Sequence, residues 1–201
     1  MEHPEVVSQL HREFIRAGSD IVQAFTYYGH REKLRLIGKE NLLEPLQKNA
    51  LQIAKDARDE FKELDLLVCG DVANTNIYNP DDKKSHIECQ KMYEEQVGWA
   101  KEAGVDFIVA ETINWTEEMK IALKAIKDAG MIAVTNFSIK KGDKTREGHT
   151  PGDACKIMED LGADVVGLNC YRGPAMTMKL LPEIRKKVSC HVAALPVPYR
   201  T

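Results

Sequence analysis

Several motifs that would assign a chemistry directly are absent from this 201-residue sequence. It has no GxGxxG and no GxxxxGK[ST], the glycine-rich loops that hold dinucleotides and nucleotide phosphates. A doubly wound dinucleotide-binding sheet carries GxGxxG after its first strand, so the absence of this loop weakens that architecture. The six histidines form no HExxH, which removes the helical zinc motif of that type.

Cysteine is sparse and dispersed. The chain has five cysteines, an odd number, and no two of them form a CxxC pair. They are Cys69, Cys89, Cys155, Cys170 and Cys190. Such a set does not indicate a disulfide framework and fits a reducing compartment, which predicts a cytoplasmic location.

Long apolar runs and a strong net charge are also lacking. Charges interrupt every apolar run before it reaches the length of a membrane span, and the net charge is −3. We therefore expect neither a membrane nor nucleic acid as a partner. The first residues, MEHPE, are polar and acidic, unlike a signal peptide. Hydrophobic residues make up 43% and charged residues 29%, which is typical of a globular domain with one sizeable core.

The main feature that is present is a repeated order of helix, glycine and apolar β-rich run. Glycine suits the left-handed position just after a helix, where a Cβ atom would clash. Four runs follow such a glycine, at 20–27, 106–112, 131–137 and 164–170, and two more, at 65–72 and 191–197, follow charged helices. Helices are predicted at 3–16, 46–64, 85–103, 116–127, 151–161 and 176–188, the last of which Pro182 is expected to shorten or break.

This alternation predicts a parallel α/β fold in one domain, residues 1–201. The runs are nearly continuous in Val, Ile, Leu and Ala, as in strands that are buried on both faces. Two architectures remain possible, a (β/α)8 TIM barrel and a doubly wound open sheet. Because a full barrel takes about 250 residues, about six strands imply an incomplete barrel or a smaller complete sheet.

In a barrel the chemistry lies at the carboxyl ends of the strands. The polar residues predicted there are Thr26, Tyr27, Tyr28, Asp71, Glu111, Thr112, Asn136, Asn169 and Cys170. Cys170 is either a metal ligand or nucleophile, or a buried thiol of the core. Glu111 either binds an amine or acts as a base, or it is a capping or ion-paired carboxylate. Tyr27 and Tyr28 either hold a quaternary ammonium group through their rings or belong to the core.

Several of these residues lie in stretches that resemble one known family. Residues 2–20 (EHPEVVSQLHREFIRAGSD) and 23–28 (QAFTYY) resemble the first helix and the following segment of betaine–homocysteine S-methyltransferases. The stretches AET at 110–112 and GLNC at 167–170 resemble the fourth-strand and sixth-strand motifs of that family. TPG at 150–152 and LPVPY at 195–199 also align, so the resemblance covers essentially the whole chain in order.

The resemblance implies a (β/α)8 barrel of the homocysteine-binding type, in which a zinc-bound homocysteine thiolate takes a methyl group from betaine. It assigns Cys170 to zinc, Glu111 to the amino group of homocysteine and Tyr28 to the neighbourhood of betaine. Tyr27 stands where the family has Phe. We place Tyr27, Thr26 and Asn169 in the same substrate-binding set.

The sequence also departs from the family pattern. The Asp-Gly-Gly motif of the first strand is expected before residue 1, and the Gly-Gly-Cys-Cys motif with the other zinc ligands beyond residue 201. One cysteine does not make a tight zinc site, so the chain is expected to be weakly active or inactive. Thr112 and Ile113 stand where the betaine enzymes tend to have an aromatic residue, which leaves another donor such as S-methylmethionine possible. A non-catalytic relic is the further alternative, and two open sheet edges favour a homo-oligomer.

Overall fold

The computed structural model describes residues 2–139 and 142–198 of the chain. These residues form seven helices and six strands, and a helix precedes every strand. Two helices lie between the first and second strands, with a short 3-10 turn at Glu40–Leu42 between them. The helices are α1 Pro4–Arg16, α2 Arg31–Arg35, α3 Leu43–Asp59, α4 Lys83–Ala103, α5 Thr116–Asp128, α6 Pro151–Asp160 and α7 Pro174–Lys187. The strands are β1 Ile21–Gln23, β2 Leu67–Ala73, β3 Phe107–Ile113, β4 Ile132–Phe137, β5 Val165–Asn169 and β6 His191–Leu195.

All six strands form one sheet in the order β1-β2-β3-β4-β5-β6, and every neighbouring pair is parallel. In a doubly wound sheet the strand order reverses at a switch point, whereas a barrel adds each strand beside the previous one. The sequential order is therefore that of a (β/α)8 barrel of which six strands are present, as predicted from the sequence.

The two faces of this curved sheet differ. One face packs against the helices and carries the main core, including Val68, Ile108 and Phe137. The other face forms the barrel interior and carries a smaller cluster of Cys69, Phe107, Val109 and Val134. Because side chains alternate along a strand, every second residue of β2 and β3 points into the interior, including Asp71 and Glu111.

Local signals explain most of the element boundaries. Thr150 caps α6 by accepting a hydrogen bond from the Asp153 amide, and Gly104 ends α4 with a left-handed φ of 73°. The expectation for Pro182 was wrong, because α7 continues through it from Pro174 to Lys187. The short helix α2 was not predicted from the sequence.

Strand β1 is shorter than the predicted run at 20–27. After Gln23 the backbone leaves the sheet and forms local turns, in which the Thr26 amide bonds to the Ala24 carbonyl at 2.8 Å. Thr26, Tyr27 and Tyr28 therefore lie in the turn that follows β1. Tyr199, the last residue of the aligned LPVPY stretch, lies outside the described residues. In the part of the chain that is described, no helix is long and apolar enough to cross a membrane.

Candidate functional site

One residue with a left-handed backbone lies near the carboxyl end of β3, and another directly follows β5. Thr112 has a φ of 59° and Cys170 a φ of 58°, and neither is glycine. This conformation costs an L-residue about 1–2 kcal/mol in free energy. It is especially unusual for a β-branched residue such as Thr112. The register of β3 against β4 also shifts between Glu111 and Ile113. Strain of this kind is concentrated at functional sites, where surrounding contacts hold it in place.

Asn169 supplies those contacts and connects the carboxyl ends of β3 and β5. Its Nδ2 donates to Glu111 Oε2 at 2.9 Å and to Thr112 Oγ1 at 2.7 Å. Its Oδ1 accepts from the Thr112 amide at 2.9 Å. Gln23, at the end of β1, donates from Nε2 to Glu111 Oε1 at 3.1 Å. Both oxygens of Glu111 are thus held by neutral amide donors, which fixes the carboxyl group without neutralising it.

Asp71 adds a second carboxyl group beside Glu111. It is only 4% exposed, its Oδ1 has no hydrogen-bond partner, and it lies on the neighbouring strand on the same face of the sheet as Glu111. Burial, followed by the charge of Glu111, raises the pKa of Asp71 well above its usual range. Burial also raises the pKa of Glu111, although its bonds to Gln23 and Asn169 oppose that shift.

The residues after β1 lie beside this carboxyl pair. Tyr27 is half-buried, and its ring centroid lies 4.4 Å from that of Tyr28. Burial raises the pKa of Tyr27. Tyr28 is 51% exposed, and the ammonium group of Lys33 stands 4.3 Å above its ring centroid. Thr26 is buried and donates from Oγ1 to the Asp71 carbonyl at 2.9 Å, which ties the turn to β2.

An open cavity of about 830 Å³ begins at these aromatic residues. Phe25, Tyr27 and Tyr28 form one wall, and residues of α1 and α3 form the rest. Phe25 is 63% exposed, so its ring is available to the cavity. Tyr27 therefore lines the aromatic cavity and is close enough to Glu111 for the charge of that residue to raise its pKa.

Cys170 follows Asn169 directly and is half-buried, with its backbone amide bonded to the Leu195 carbonyl at 3.0 Å. The thiol could supply one zinc ligand. Among residues 2–139 and 142–198, however, no three His, Cys, Asp or Glu side chains are grouped so that they could hold a metal ion. Cys190 precedes β6 and thus lies at the opposite end of the sheet. The described residues therefore do not form a zinc site by themselves.

Of the residues predicted from the sequence, the structure joins Asn169 to Glu111 by a hydrogen bond and packs Tyr27 against Tyr28, with Cys170 next to Asn169 in the chain. Thr26 is nearby, but its hydroxyl is engaged with the backbone of β2. Asn136 is fully buried, and neither of its amide atoms has a hydrogen-bond partner in the described structure.

Two residues of the cluster had no role in the sequence prediction. Gln23 was only part of an aligned stretch, and Asp71 was only one polar residue at a predicted strand end. A single acid within the apolar run of β2 was the available signal for Asp71, since a buried carboxyl group needs a compensating contact.

Comparison with known proteins identifies the family of the chain. The family model for homocysteine S-methyltransferase matches residues 1–198. Betaine–homocysteine S-methyltransferase 1 of Xenopus tropicalis is 34% identical over 211 residues, covering 100% of this chain and 51% of that protein. The Sus scrofa protein of the same name is also 34% identical, with 100% of this chain and 73% of that protein covered. The chain thus spans about half the length of the Xenopus relative.

A solved structure supports the fold. The metallated form of the homocysteine methyltransferase MmuM from Escherichia coli superposes with a TM-score of 0.85 at 19% identity, covering 98% of this chain and 73% of that chain. At this identity the likeness concerns the fold alone. The resemblance to betaine–homocysteine S-methyltransferases predicted from the sequence is confirmed by the family model and the 34% identical relatives. The chain belongs to the homocysteine S-methyltransferase family.

Proposed function

We propose that the protein binds homocysteine through Glu111 and serves the transfer of a methyl group from betaine to homocysteine. The products are dimethylglycine and methionine. The observation that carries this proposal is the hydrogen-bonded cluster of Glu111, Asn169 and Thr112 at the ends of β3 and β5, next to Cys170. Family membership and the names of the 34% identical relatives support the same reaction.

Glu111 provides the acceptor for the α-ammonium group of homocysteine. Its carboxyl group is oriented by Gln23 and Asn169, and it takes part in none of the ion pairs found among the described residues. A half-buried carboxylate without a cation binds an ammonium group more strongly than an exposed one, because water screens it less. The left-handed backbone at Thr112, next to Glu111, helps to fix the orientation of this carboxylate.

The aromatic cavity provides the space for the methyl donor. Tyr28 already has one cation above its ring, the Lys33 ammonium group at 4.3 Å. A trimethylammonium group is attracted to the same kind of aromatic face. Betaine also carries a carboxylate. The ammonium group of Lys33, beside Tyr28, is a cation to which this carboxylate would bind. We therefore propose Tyr27 and Tyr28 as the wall that holds the donor.

In the reaction the homocysteine thiol gives up its proton to solvent, and a lone pair of the resulting thiolate forms the new S–C bond to the methyl carbon. The electrons of the broken C–N bond return to nitrogen, which gives neutral dimethylglycine nitrogen and the thioether of methionine. Zinc, when bound, would lower the pKa of the homocysteine thiol. Among the described residues, Cys170 would supply one zinc ligand. The other side chains named above bind and orient the two substrates.

Two alternatives rest on specific observations. Thr112 follows Glu111 where the betaine enzymes tend to have an aromatic residue, which favours another methyl donor such as S-methylmethionine. The lack of a three-ligand metal group among the described residues favours a non-catalytic relic. The cytoplasmic location and a possible homo-oligomer, both predicted from the sequence, remain part of the proposal.

Acceptor binding is tested by calorimetric titration of the purified chain with L-homocysteine and with L-methionine. We expect Glu111→Gln to weaken both ligands by about tenfold or more, because a charge-assisted hydrogen bond is worth about 1.5–3 kcal/mol. Glu117→Gln, an exposed glutamate on α5, is the matched control and should leave both affinities unchanged. Equal affinities in wild type and Glu111→Gln would contradict the assignment of Glu111.

Donor binding is tested with betaine and with 3,3-dimethylbutanoate, its uncharged tert-butyl isostere. If the aromatic wall recognises the cation, betaine binds and the isostere binds several-fold more weakly. Tyr28→Phe keeps the ring and should retain betaine, whereas Tyr28→Leu should lose it. S-methylmethionine is titrated in parallel, and preferential binding of that ligand would replace betaine as the donor.

A further inference from the structure

The buried pair of carboxyl groups, Asp71 and Glu111, is the feature that the proposed reaction does not require. One carboxylate is sufficient for an ammonium group. Asp71 lies two residues before Ala73, which is the register partner of Glu111, so both carboxyl groups point into the barrel interior from neighbouring strands. Asp71 is 4% exposed, and its Oδ1 has no partner.

The surroundings of the pair supply no positive charge. From β1 and the turn after it, the pair is faced by the neutral Gln23 and by Tyr27, whose pKa burial raises. From β2 it is faced by the thiol of Cys69, whose pKa is raised by burial and by the charges of the pair and of Asp106. From β5 it is faced by the amide of Asn169, which precedes Cys170. Neither carboxyl group takes part in an ion pair with any described residue.

Two carboxylates cannot form a hydrogen bond with each other unless one of them carries a proton, and two unpaired negative charges in a buried site repel strongly. Asp71 and Glu111 share the interior face of neighbouring strands, and the buried Oδ1 of Asp71 has no partner that would stabilise a second negative charge. The pair therefore retains one proton and as a whole carries one negative charge.

We propose that Asp71 and Glu111 share one proton in the ligand-free protein and that a ligand ammonium group bound at Glu111 displaces it to the solvent. The incoming cation replaces the charge of the proton, so both carboxyl groups become ionised around it. Binding of an amino acid is then coupled to the release of one proton. This inference rests on the proposed binding of homocysteine at Glu111 and adds a role for Asp71, which acts through Glu111 as a positioning residue.

The coupling has a definite sign. Below the pH at which the pair loses its proton, affinity for an ammonium ligand rises by about tenfold per pH unit, because each binding event releases one proton. Above that pH the affinity becomes independent of pH until the amino group of the ligand titrates. Replacing Asp71 by Asn removes the shared proton and with it the steep dependence.

The experiment is calorimetric titration of the full chain with L-methionine, which has no thiol that could release a proton of its own. Measurements in two buffers with different ionisation enthalpies give the number of protons released. We expect close to one proton for wild type near neutral pH and close to none for Asp71→Asn. N-acetyl-L-methionine, which lacks the ammonium group, is the ligand control and should neither bind at Glu111 nor release a proton.

Carboxyl ¹³C NMR of the ligand-free chain tests the shared proton without any ligand. One carboxyl resonance that titrates far above the normal range should be lost in Asp71→Asn and also in Glu111→Gln. Methionine binding without proton release would overturn the inference and leave the proposed function in place. Absence of methionine binding while the high-titrating resonance persists would overturn the proposed amino-acid site, and the coupling with it. If no such resonance exists, the shared proton is excluded.

Discussion

At the scale of single residues, the site combines strained backbone with a buried acid. Thr112 occupies a left-handed conformation, and Asp71 is held in the interior of the sheet beside Glu111. Neither feature stabilises the fold, since left-handed backbone and buried unpaired carboxyl groups both cost free energy. Both features lie toward the carboxyl ends of neighbouring strands, where we propose that homocysteine binds.

Asp71→Asn is expected to stabilise the protein at neutral pH. The folded pKa of Asp71 is raised above its ordinary value of 3.8, so the folded state holds more protons than the unfolded state above that pH. Stability therefore falls as the pH rises from about 4 to the folded pKa, and the Asn variant escapes this loss. We expect a gain of about 1–3 kcal/mol in the free energy of unfolding at pH 7 and almost none at pH 4, measured by urea titration.

Glu118→Gln is the contrasting control, because Glu118 is also buried but is well bonded. Its Oε1 accepts from the Thr75 amide at 2.8 Å and from Thr75 Oγ1 at 2.7 Å. Burial raises the pKa of Glu118 as well, although its bonds to Thr75 and Tyr93 oppose that shift. Replacing this carboxylate should therefore raise stability less than Asp71→Asn does, since strong acceptor interactions are weakened. A gain in Glu118→Gln equal to that in Asp71→Asn would show that the effect is a general one of buried acids and not of the pair.

The residue identities of the site were partly predictable from the sequence. Glu111 and Cys170 follow apolar runs directly, so a parallel fold places them at one end of the sheet. The partnership of Asp71 with Glu111 was not predictable, because it depends on the register of β2 against β3. The same holds for Asn169, whose bonds to Glu111 and Thr112 cross from β5 to β3.

At the scale of secondary structure elements, the carboxyl ends of β3 and β5 form one unit. Asn169, the last residue of β5, makes three hydrogen bonds to Glu111 and Thr112 of β3, and two of them go to Thr112. Sequence periodicity predicted both strands to within one residue or so, because buried strands have continuous apolar runs. It underestimated α7, where packing of the helix against α6 outweighs the missing hydrogen bond at Pro182.

Asn169→Ala is expected to remove the hydrogen bonds that join the carboxyl ends of β3 and β5. It leaves the Thr112 amide without an acceptor and one oxygen of Glu111 without a donor, so we expect a loss of about 2–4 kcal/mol in the free energy of unfolding. Methionine affinity should fall as well, because Glu111 is no longer oriented. Urea titration and calorimetry measure the two effects.

Asn114→Ala, at a half-buried position outside the cluster, is the matched control for Asn169→Ala. It should cost less and leave methionine affinity unchanged. If Asn169→Ala binds methionine as wild type does, the cluster is a structural link between the strands and not part of the binding site.

At the scale of the whole molecule, the six-stranded sheet presents an interior face with several exposed apolar residues. Ile21, Leu67, Ile132 and Leu195 are 44%, 43%, 53% and 43% exposed, respectively, and each shares its face with interior residues of the same strand. Strand β1 pairs only with β2, and β6 only with β5. The described structure therefore has two open sheet edges beside an apolar concave surface.

The zinc content of the chain follows from its ligands. Cys170 is the one ligand assigned here, and the described residues hold no group of three that could bind a metal. A catalytic zinc site usually has three protein ligands, so we expect zinc well below one equivalent after dialysis and little or no methyl transfer from betaine. Atomic absorption and a methionine assay measure these quantities. One equivalent of zinc together with turnover would contradict both this expectation and the relic alternative.

Self-association of the chain should depend on the interior face. We expect dimers or larger species at concentrations of tens of micromolar, because exposed sheet edges and apolar patches promote pairing between copies. Ile132→Lys places a charge on the interior face at the start of β4 and should shift the population toward monomer in sedimentation velocity. Ile87→Lys is the matched control, since Ile87 is 56% exposed on α4, on the helical side of the sheet. If both variants associate as wild type does, the interior face is not the contact surface, and if both become monomeric, net charge and not position governs association.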